Sequence, residues 1–571
     1  MSSSPASALR PGPWWLGPLL LLAILGFGPQ APGSSPVGVD AQLQLGERMY
    51  REGLLPSGQP MTGLVRQDVP VAGESFACTS CHLRSGLGSV EGGVTTPATN
   101  AERLFRPWFR YHPALGGEER RQLTGVLREP LRRPAYTDAQ LVRALTEGVD
   151  PTGRVLSDIM PRYALDSAEA GTLVRYLKQL SAEPSPGVTP TTLRFATVVT
   201  EEVSAADRQD FLQVLRQRLS IHNRQAVSRD LGSYRSLAAL EGALAFREWS
   251  LAVWELKGPA RTWPAQLEAL YRREPVFALL SGLSYRPWEP VHAFCEARQI
   301  PCLLPLTDLP HLEEPSWYTL YFSKGPFQEG EAAAAYLADQ GEAVAGRPLL
   351  QVVAATPEAR ALARGFASGW ADHGRSPVQT LYLRPGQRPE AAQLLASSRG
   401  PGEPILLLWT GPEAYLALAG LLRRPGALAF LSTTLLGRKV WELPQALRDQ
   451  VLLTYPYRLF RPPASMQAPD GTAPEALAQL SLAAGDTQRR VRSRAFAVMK
   501  TLAEAVSRLG RDYYRDALLD ACGQMMDDEE TDYERLSFGP GQRFASKGCY
   551  VVRLPKGRLH AFLKQSAWVI H

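Results

Sequence analysis

Five residues, Cys78-Thr79-Ser80-Cys81-His82, constrain this chain more than any other stretch. Two thiols separated by two residues and followed at once by an imidazole is the spacing that attaches a c-type haem, with thioethers from Cys78 and Cys81 and with His82 as the proximal iron ligand. The other readings are a Cys-x-x-Cys redox pair or half of a zinc site. A zinc site needs a second ligand pair at matching spacing, and none appears among the six Cys and eight His.

At 571 residues the chain is too long for one core and should divide into two to four domains. Hydrophobic content of 45% and charged content of 21% are ordinary for a globular protein. The net charge of +6 is spread along the chain in pairs such as Arg120-Arg121, Arg132-Arg133 and Arg489-Arg490. No basic run is interleaved with aromatics, so nucleic acid is not an expected partner. Arg10, an apolar block from Trp14 to Phe27, then Pro29, Pro32 and Gly33 have the layout of an export signal over residues 1–33. The block is shorter than the roughly 20 residues that span a bilayer, so cleavage is expected. The alternative is an uncleaved membrane anchor through residues 14–27. Either way the bulk of the chain is expected in the periplasm, where c-type haem is attached and disulfides persist.

Residues 40–180 read as helical. Asp40 is a candidate N-cap, and Leu43, Gly46, Met49 and Tyr50 fall on one face, the glycine permitting a close helix crossing. Asp166 and Glu169 open a helix with a stripe of Leu173, Val174, Leu177 and Leu180, while Thr137 and Gln140 open another from Asp138 to Glu147. With CTSCH between them and Met160-Pro161 before the last helix, this region resembles a class I cytochrome c. The resemblance implies an all-α domain holding one haem c through Cys78 and Cys81, with His82 and Met160 as axial ligands. A thioether opposite imidazole suits single-electron transfer. His112 and Met61 are the competing distal ligands. Two features depart from the small members of that family: the 27 residues between Tyr50 and Cys78, and the long segment from Gly86 to Pro134.

Residues 181–192 are Pro-rich and read as a semi-rigid linker. From 193 to 571 short apolar runs alternate with helical patterns, which predicts parallel sheets with right-handed crossovers. Strands are expected at Leu193–Val199, Leu251–Trp254, Val276–Ser281, Pro301–Leu304, Leu349–Val353, Gln379–Tyr382, Ile405–Trp409, Ala429–Ser432 and Val451–Thr454. A last strand, Gly548–Leu554, is expected to pair with Ser537–Phe544. The runs Pro275–Ser284, Arg298–Thr307 and Trp409–Ala414 are similar to a type I periplasmic binding protein of the Leu/Ile/Val-binding kind. That likeness implies two α/β lobes with a ligand between them, at the C-terminal ends of strands. It makes Ser284 a carboxylate-side hydroxyl, Thr307 a second polar contact, and Trp409 or Glu413 contacts from the other lobe. Each also has a bland reading: an N-cap, a loop polar group, a core side chain and a first-turn acid. The acidic stretch Thr200–Asp207 and the sequence Ala355-Thr356-Pro357 depart from that family. Cys295 with Cys302, and Cys522 with Cys549, are expected to form two disulfides.

The whole then reads as a multidomain protein, an all-α cytochrome c domain followed by a two-lobed α/β module. Its expected role is an exported single-electron carrier that the second domain docks onto a periplasmic redox partner, a dehydrogenase or oxidase. The alternative is a solute-binding receptor for an amino acid or small carboxylate with an attached redox-sensing haem. No Ser/His/Asp order, phosphate loop or carboxylate pair suggests an enzyme.

Overall fold

The computed structural model describes residues 37–73, 75–91, 94–107, 133–225, 245–398, 402–421, 426–459, 487–525, 527, 532–539, 541–557 and 562–570. The expected export segment and His112 lie outside the described residues.

In the first domain the helix Val37–Glu52 crosses the helix Ser167–Leu177 at Gly46. A Cβ there would stand 2.6 Å from the Cβ of Tyr176 and 2.8 Å from the Thr172 carbonyl oxygen, so only glycine admits this crossing. Met49, Tyr50, Leu173, Val174 and Leu177 fill the space between the helices together with Leu141 and Leu145 of Asp138–Thr146. Both expected capping boxes form, Thr137 with Gln140 and Asp166 with Glu169. Asp40 is not an N-cap, because the helix begins one turn earlier at Val37.

The all-α expectation is corrected for this domain. Strands β1 (Thr62–Val65) and β2 (Val69–Ala72) form a hairpin whose turn residues Arg66 and Gln67 have φ of 52° and 72°. A second small hairpin joins β3 (Val90–Glu91) and β4 (Val94–Thr95). Strand β5 (Arg162–Tyr163) then pairs with β1 through Gly63 to Tyr163 and Leu64 to Arg162. The stretch between Tyr50 and Cys78 is therefore a brace for the loop carrying Met160. Strands this short carry too few residues to show an alternating pattern, which is why the sequence did not mark them.

Beyond it lie two doubly wound lobes. The first holds β6 (Thr192–Thr200), β7 (Glu248–Leu256), β8 (Ala278–Leu283), β9 (Cys302–Leu303) and β10 (Thr319–Leu320), all parallel, in the order β10-β9-β8-β6-β7. All six residues of β8 are buried, as a parallel strand covered by helices on both faces requires. The second lobe repeats the order with β11 (Leu349–Val353), β12 (Gln379–Tyr382), β13 (Ile405–Trp409), β14 (Leu428–Ser432) and β15 (Val451–Tyr455), running β12-β11-β13-β14-β15. Strand β16 (Gly548–Arg553) joins it antiparallel to β15, with β17 (Leu563–Lys564) and β18 (Val569–Ile570) beyond. Ser537–Phe544 is not its partner. Five of the six β16 residues are buried, so it sits inside the large sheet, while Phe544 makes a single bridge to Tyr321.

The segment expected as a linker is fastened along its length. Ser185 accepts from the Arg515 amide at 3.0 Å, and Gly187, with φ +87°, lies against the Phe277 backbone, where a Cβ would come within 2.1 Å of its nitrogen. The helix Arg515–Gly523 sits between the domains. Arg515 donates into the first lobe, to the carbonyls of Val276, Phe277, Arg298 and Gln299 at 2.6, 3.1, 3.0 and 3.2 Å. Asp516 bridges the two sides, accepting from Arg51 of the first domain at 2.8 Å and from the Tyr318 hydroxyl of the first lobe at 3.0 Å. Removing one partner of a largely buried ion pair costs about 3 kcal/mol. Asp516→Ala is accordingly expected to loosen the docking of the first domain, read as faster limited proteolysis between Ser181 and Pro190. An unchanged cleavage rate would refute this.

Candidate functional site

Two regions gather chemistry. The first is a cavity of about 240 Å3 in the first domain, lined by Tyr50, Cys78, Cys81, His82, Met160 and Leu177 with further apolar neighbours. His82 ends the short helix Thr79–His82. Its Nδ1 lies 2.8 Å from the Pro97 carbonyl oxygen, which can only accept, so Nδ1 carries the proton and Nε2 keeps a free lone pair. Burial lowers the pKa of His82, opposed by that bond, so the ring is neutral near pH 7. Burial pushes the Cys78 thiol up to about 12. Met160 reaches the same cavity, and its loop is pinned by Arg162. That guanidinium donates to the carbonyls of Met160, Leu156 and Ser157 at 2.7, 2.9 and 3.2 Å. Met61 is a core side chain, 1% exposed and packed against Gly73.

The second region is the cleft between the lobes. Strand order in the first lobe reverses between β6 and β8, and an open parallel sheet offers its ligand crevice beyond such a switch point. Three donors converge there on one carboxylate. Thr200 Oγ1, Ser284 Oγ and the Tyr285 amide lie 2.6, 3.3 and 3.3 Å from Glu202 Oε1. The other oxygen, Oε2, lies 3.6 Å from Arg286 Nε. Beside this pair the Tyr285 hydroxyl donates to Asp207, and burial is the chief cause of the raised Tyr285 pKa. Ser284 therefore stands at the polar point the sequence indicated, but it clasps the chain's own Glu202. The acidic stretch Thr200–Asp207 was the only sequence signal for Glu202, and it reads there as a departure rather than a contact.

The remaining expected contacts are less direct. Thr307 Oγ1 accepts from the Leu309 amide at 3.1 Å, ordering its loop. Glu413 Oε1 accepts from the Gly411 amide at 2.9 Å, at the mouth of the second lobe. Trp409 is corrected to a core residue. It is fully buried, and its indole donates to Gln351 Oε1 at 2.8 Å within the sheet.

Behind the cleft, Arg494 of the helix Thr487–Leu509 donates to the Tyr457 hydroxyl at 2.5 Å and lies over the Tyr457, Tyr533 and Phe322 rings at 5.5, 5.6 and 6.0 Å. Tyr457 follows β15 and Phe322 follows β10, so this one guanidinium clamps chain segments leaving both sheets. In the second lobe Glu329 is fully buried, its Oε2 accepting from Thr454 and Ser432 at 2.6 and 2.8 Å.

The disulfide expectation is also corrected, since Cys295, Cys302, Cys522 and Cys549 form no disulfide. Cys295 and Cys302 are neighbours, and burial followed by the Cys302 contact raises the Cys295 thiol. Cys522 lies beside Glu504 and Arg508, whereas Cys549 lies in β16 near Glu329, on separate parts of the fold.

No family model matches this chain, and no curated protein does. Among solved structures it is similar to a branched chain amino acid ABC transporter protein from Thermus thermophilus with bound valine, at 11% identity, 67% of this chain, 97% of the other and a TM-score of 0.44. It is similar to a leucine binding protein from Thermotoga maritima at 12%, 66%, 98% and 0.41. A fatty acid ABC transporter substrate-binding protein from Thermomonospora curvata gives 14%, 68%, 95% and 0.41. The likeness covers about two thirds of the chain and takes in the two-lobed α/β fold. Their names are those of an ABC transporter protein, a leucine binding protein and a substrate-binding protein. The expectation of a single-electron carrier that the second domain docks onto a dehydrogenase or oxidase is corrected, because that domain is a two-lobed α/β fold with a ligand crevice at its switch point.

Burial raises the Glu329 carboxyl from 4.5 to about 7, against its hydroxyl donors. A folded-state pKa raised in this way stabilises fully below about pH 4.5, and the contribution is lost as pH rises toward 7. Stability is therefore expected to fall by about 3 kcal/mol over that interval on account of this group. Chemical denaturation of Glu329→Gln across pH 4.5 to 8 should show that part of the slope removed. An identical slope in the variant would refute the assignment.

Proposed function

We propose that this chain is an exported two-lobed receptor for an amino acid, carrying a covalently attached, redox-sensing haem c in its first domain. The observation that supports it most is the Glu202–Arg286 pair at the switch point. A negative and a positive group 3.6 Å apart, presented at one strand end, complement a zwitterion, with ammonium toward Glu202 and carboxylate toward Arg286. A simple carboxylate has no group to satisfy Glu202 and would have to displace it from three donors. This favours an amino acid over a small carboxylate.

The first-domain cavity fits the proposed haem. Its lining is apolar, Cys78 and Cys81 stand on its rim, His82 offers an unprotonated Nε2 and Met160 shares the space. Cys78 and Cys81 would hold the group, and His82 and Met160 would ligate its iron. When bound, it supplies a one-electron change at its iron. The Pro97 carbonyl orients the imidazole, and Arg162 holds the Met160 loop.

Isothermal calorimetry of the full chain with amino acids and with their deaminated carboxylates tests the receptor. One class of amino acid is expected to bind, and Glu202→Gln is expected to weaken it at least about tenfold. Equal binding of the deaminated analogues, or no binding at all, would sink the reading. For the cofactor, Cys78→Ala with Cys81→Ala should leave protein without covalent haem. Haem staining of that double variant on a denaturing gel would refute it.

A further inference from the structure

The first domain and the first lobe enclose a second cavity, of about 250 Å3, on the far side of the Cys78–His82 segment. Its walls come from both domains: Arg51, Thr79, Ser80 and Arg84 from one, Trp317 and Arg543 from the other. Four N–H donors on these side chains are shut away from solvent with no hydrogen-bond partner: Arg51 Nε, Arg84 Nε, Arg543 Nη1 and Trp317 Nε1. Buried donors are nearly always satisfied, so four around one cavity call for an acceptor within it.

The arginines are held in place from behind. Arg51 pairs with Glu47 at 2.7 Å and Asp516 at 2.8 Å, and Arg543, only 4% exposed, pairs with Glu314 at 2.7 Å. Arg84 stacks on Trp317 with its guanidinium 4.2 Å from the ring centroid and lies 3.9 Å from Asp516. The carboxylate among the lining residues is Asp520, whose Oδ2 is engaged by the Ser85 amide at 2.9 Å. Three guanidinium groups, an indole N–H and the Ser80 hydroxyl thus line a space of small-molecule size, while the Thr79 hydroxyl donates to the Arg51 carbonyl at 3.1 Å. Guanidinium forks match the oxygens of phosphate and sulfate, and an indole N–H and the Ser80 hydroxyl add single donors.

We infer that this seam is a binding site for a small oxyanion of the phosphate or sulfate class, completed only when the first domain is docked on the first lobe. The site is separate from the cleft. An anion there ties together groups from the two domains and lies against Thr79 and Ser80, between the two cysteines.

The test is calorimetric titration of inorganic phosphate, and separately sulfate, into the full chain in chloride buffer. One saturable site per chain is expected, together with a rise in melting temperature on adding the anion. Arg84→Gln and Trp317→Phe are each expected to weaken binding at least about fivefold and to abolish the anion-dependent rise. Trp317→Phe keeps the stacked ring and removes only the donor, so it guards against a result caused by misfolding. Glu202→Gln is expected to leave phosphate binding unchanged, which separates this site from the cleft. Absence of a saturable site, or equal binding in both seam variants, would mean that water fills the cavity and would overturn the inference.

Discussion

The first domain and the first lobe meet chiefly along the helix Arg515–Gly523 and the residues just before it, with the Arg84–Trp317 stack beside them. On one side Arg515 spends its guanidinium on four first-lobe carbonyls, two of them at the end of the helix Glu289–Arg298, where free carbonyls and the negative end of the helix dipole favour a cation. On the other side Asp512, Asp516 and Asp520 recur every four residues and meet Arg103, Arg51 and the Ser85 amide of the first domain. Because Arg515 binds the first lobe alone, the first domain rides with that lobe.

The cleft follows from the sheets. Parallel strands all end on one side, and reversal of their order at β6 and β8 leaves the crevice between their flanking loops open. Thr200, Ser284 and Tyr285 arrive there from two neighbouring strands and supply donors to an anionic group. Glu202 takes those donors in place of a ligand carboxylate. That internal carboxylate turns a point suited to an anion into a charged pair with Arg286, which is what supports the proposed amino acid over a simple carboxylate. The Arg494 clamp lies where segments from both sheets pass, an aromatic and cationic knot rather than bare loops.

Much of the secondary structure was legible because its signals are local. β11, β12 and β13 have the expected limits, and both capping boxes are in place, since each depends on residues within one turn or one strand. Gly46 was readable as a crossing point for the same reason. The three-stranded brace of the first domain was not, because β5 has only two residues and acquires its meaning from β1, about 100 positions earlier in the chain. Likewise β16 looked like half of a hairpin with Ser537–Phe544, although the longer-range pairing with β15 buries it better.

By itself the sequence determined the Cys78–His82 motif, the alternation that makes two parallel-stranded lobes, and Ser284 as a polar point at the end of β8. These are matters of spacing and periodicity, which neighbouring residues settle. Only the tertiary structure decided that Ser284 faces Glu202, that Trp409 belongs to the core, that Cys522 and Cys549 lie apart and that the Pro-rich joint is anchored. Each of those depends on residues distant in the chain meeting in space, and no local preference encodes which charge or thiol will find which partner.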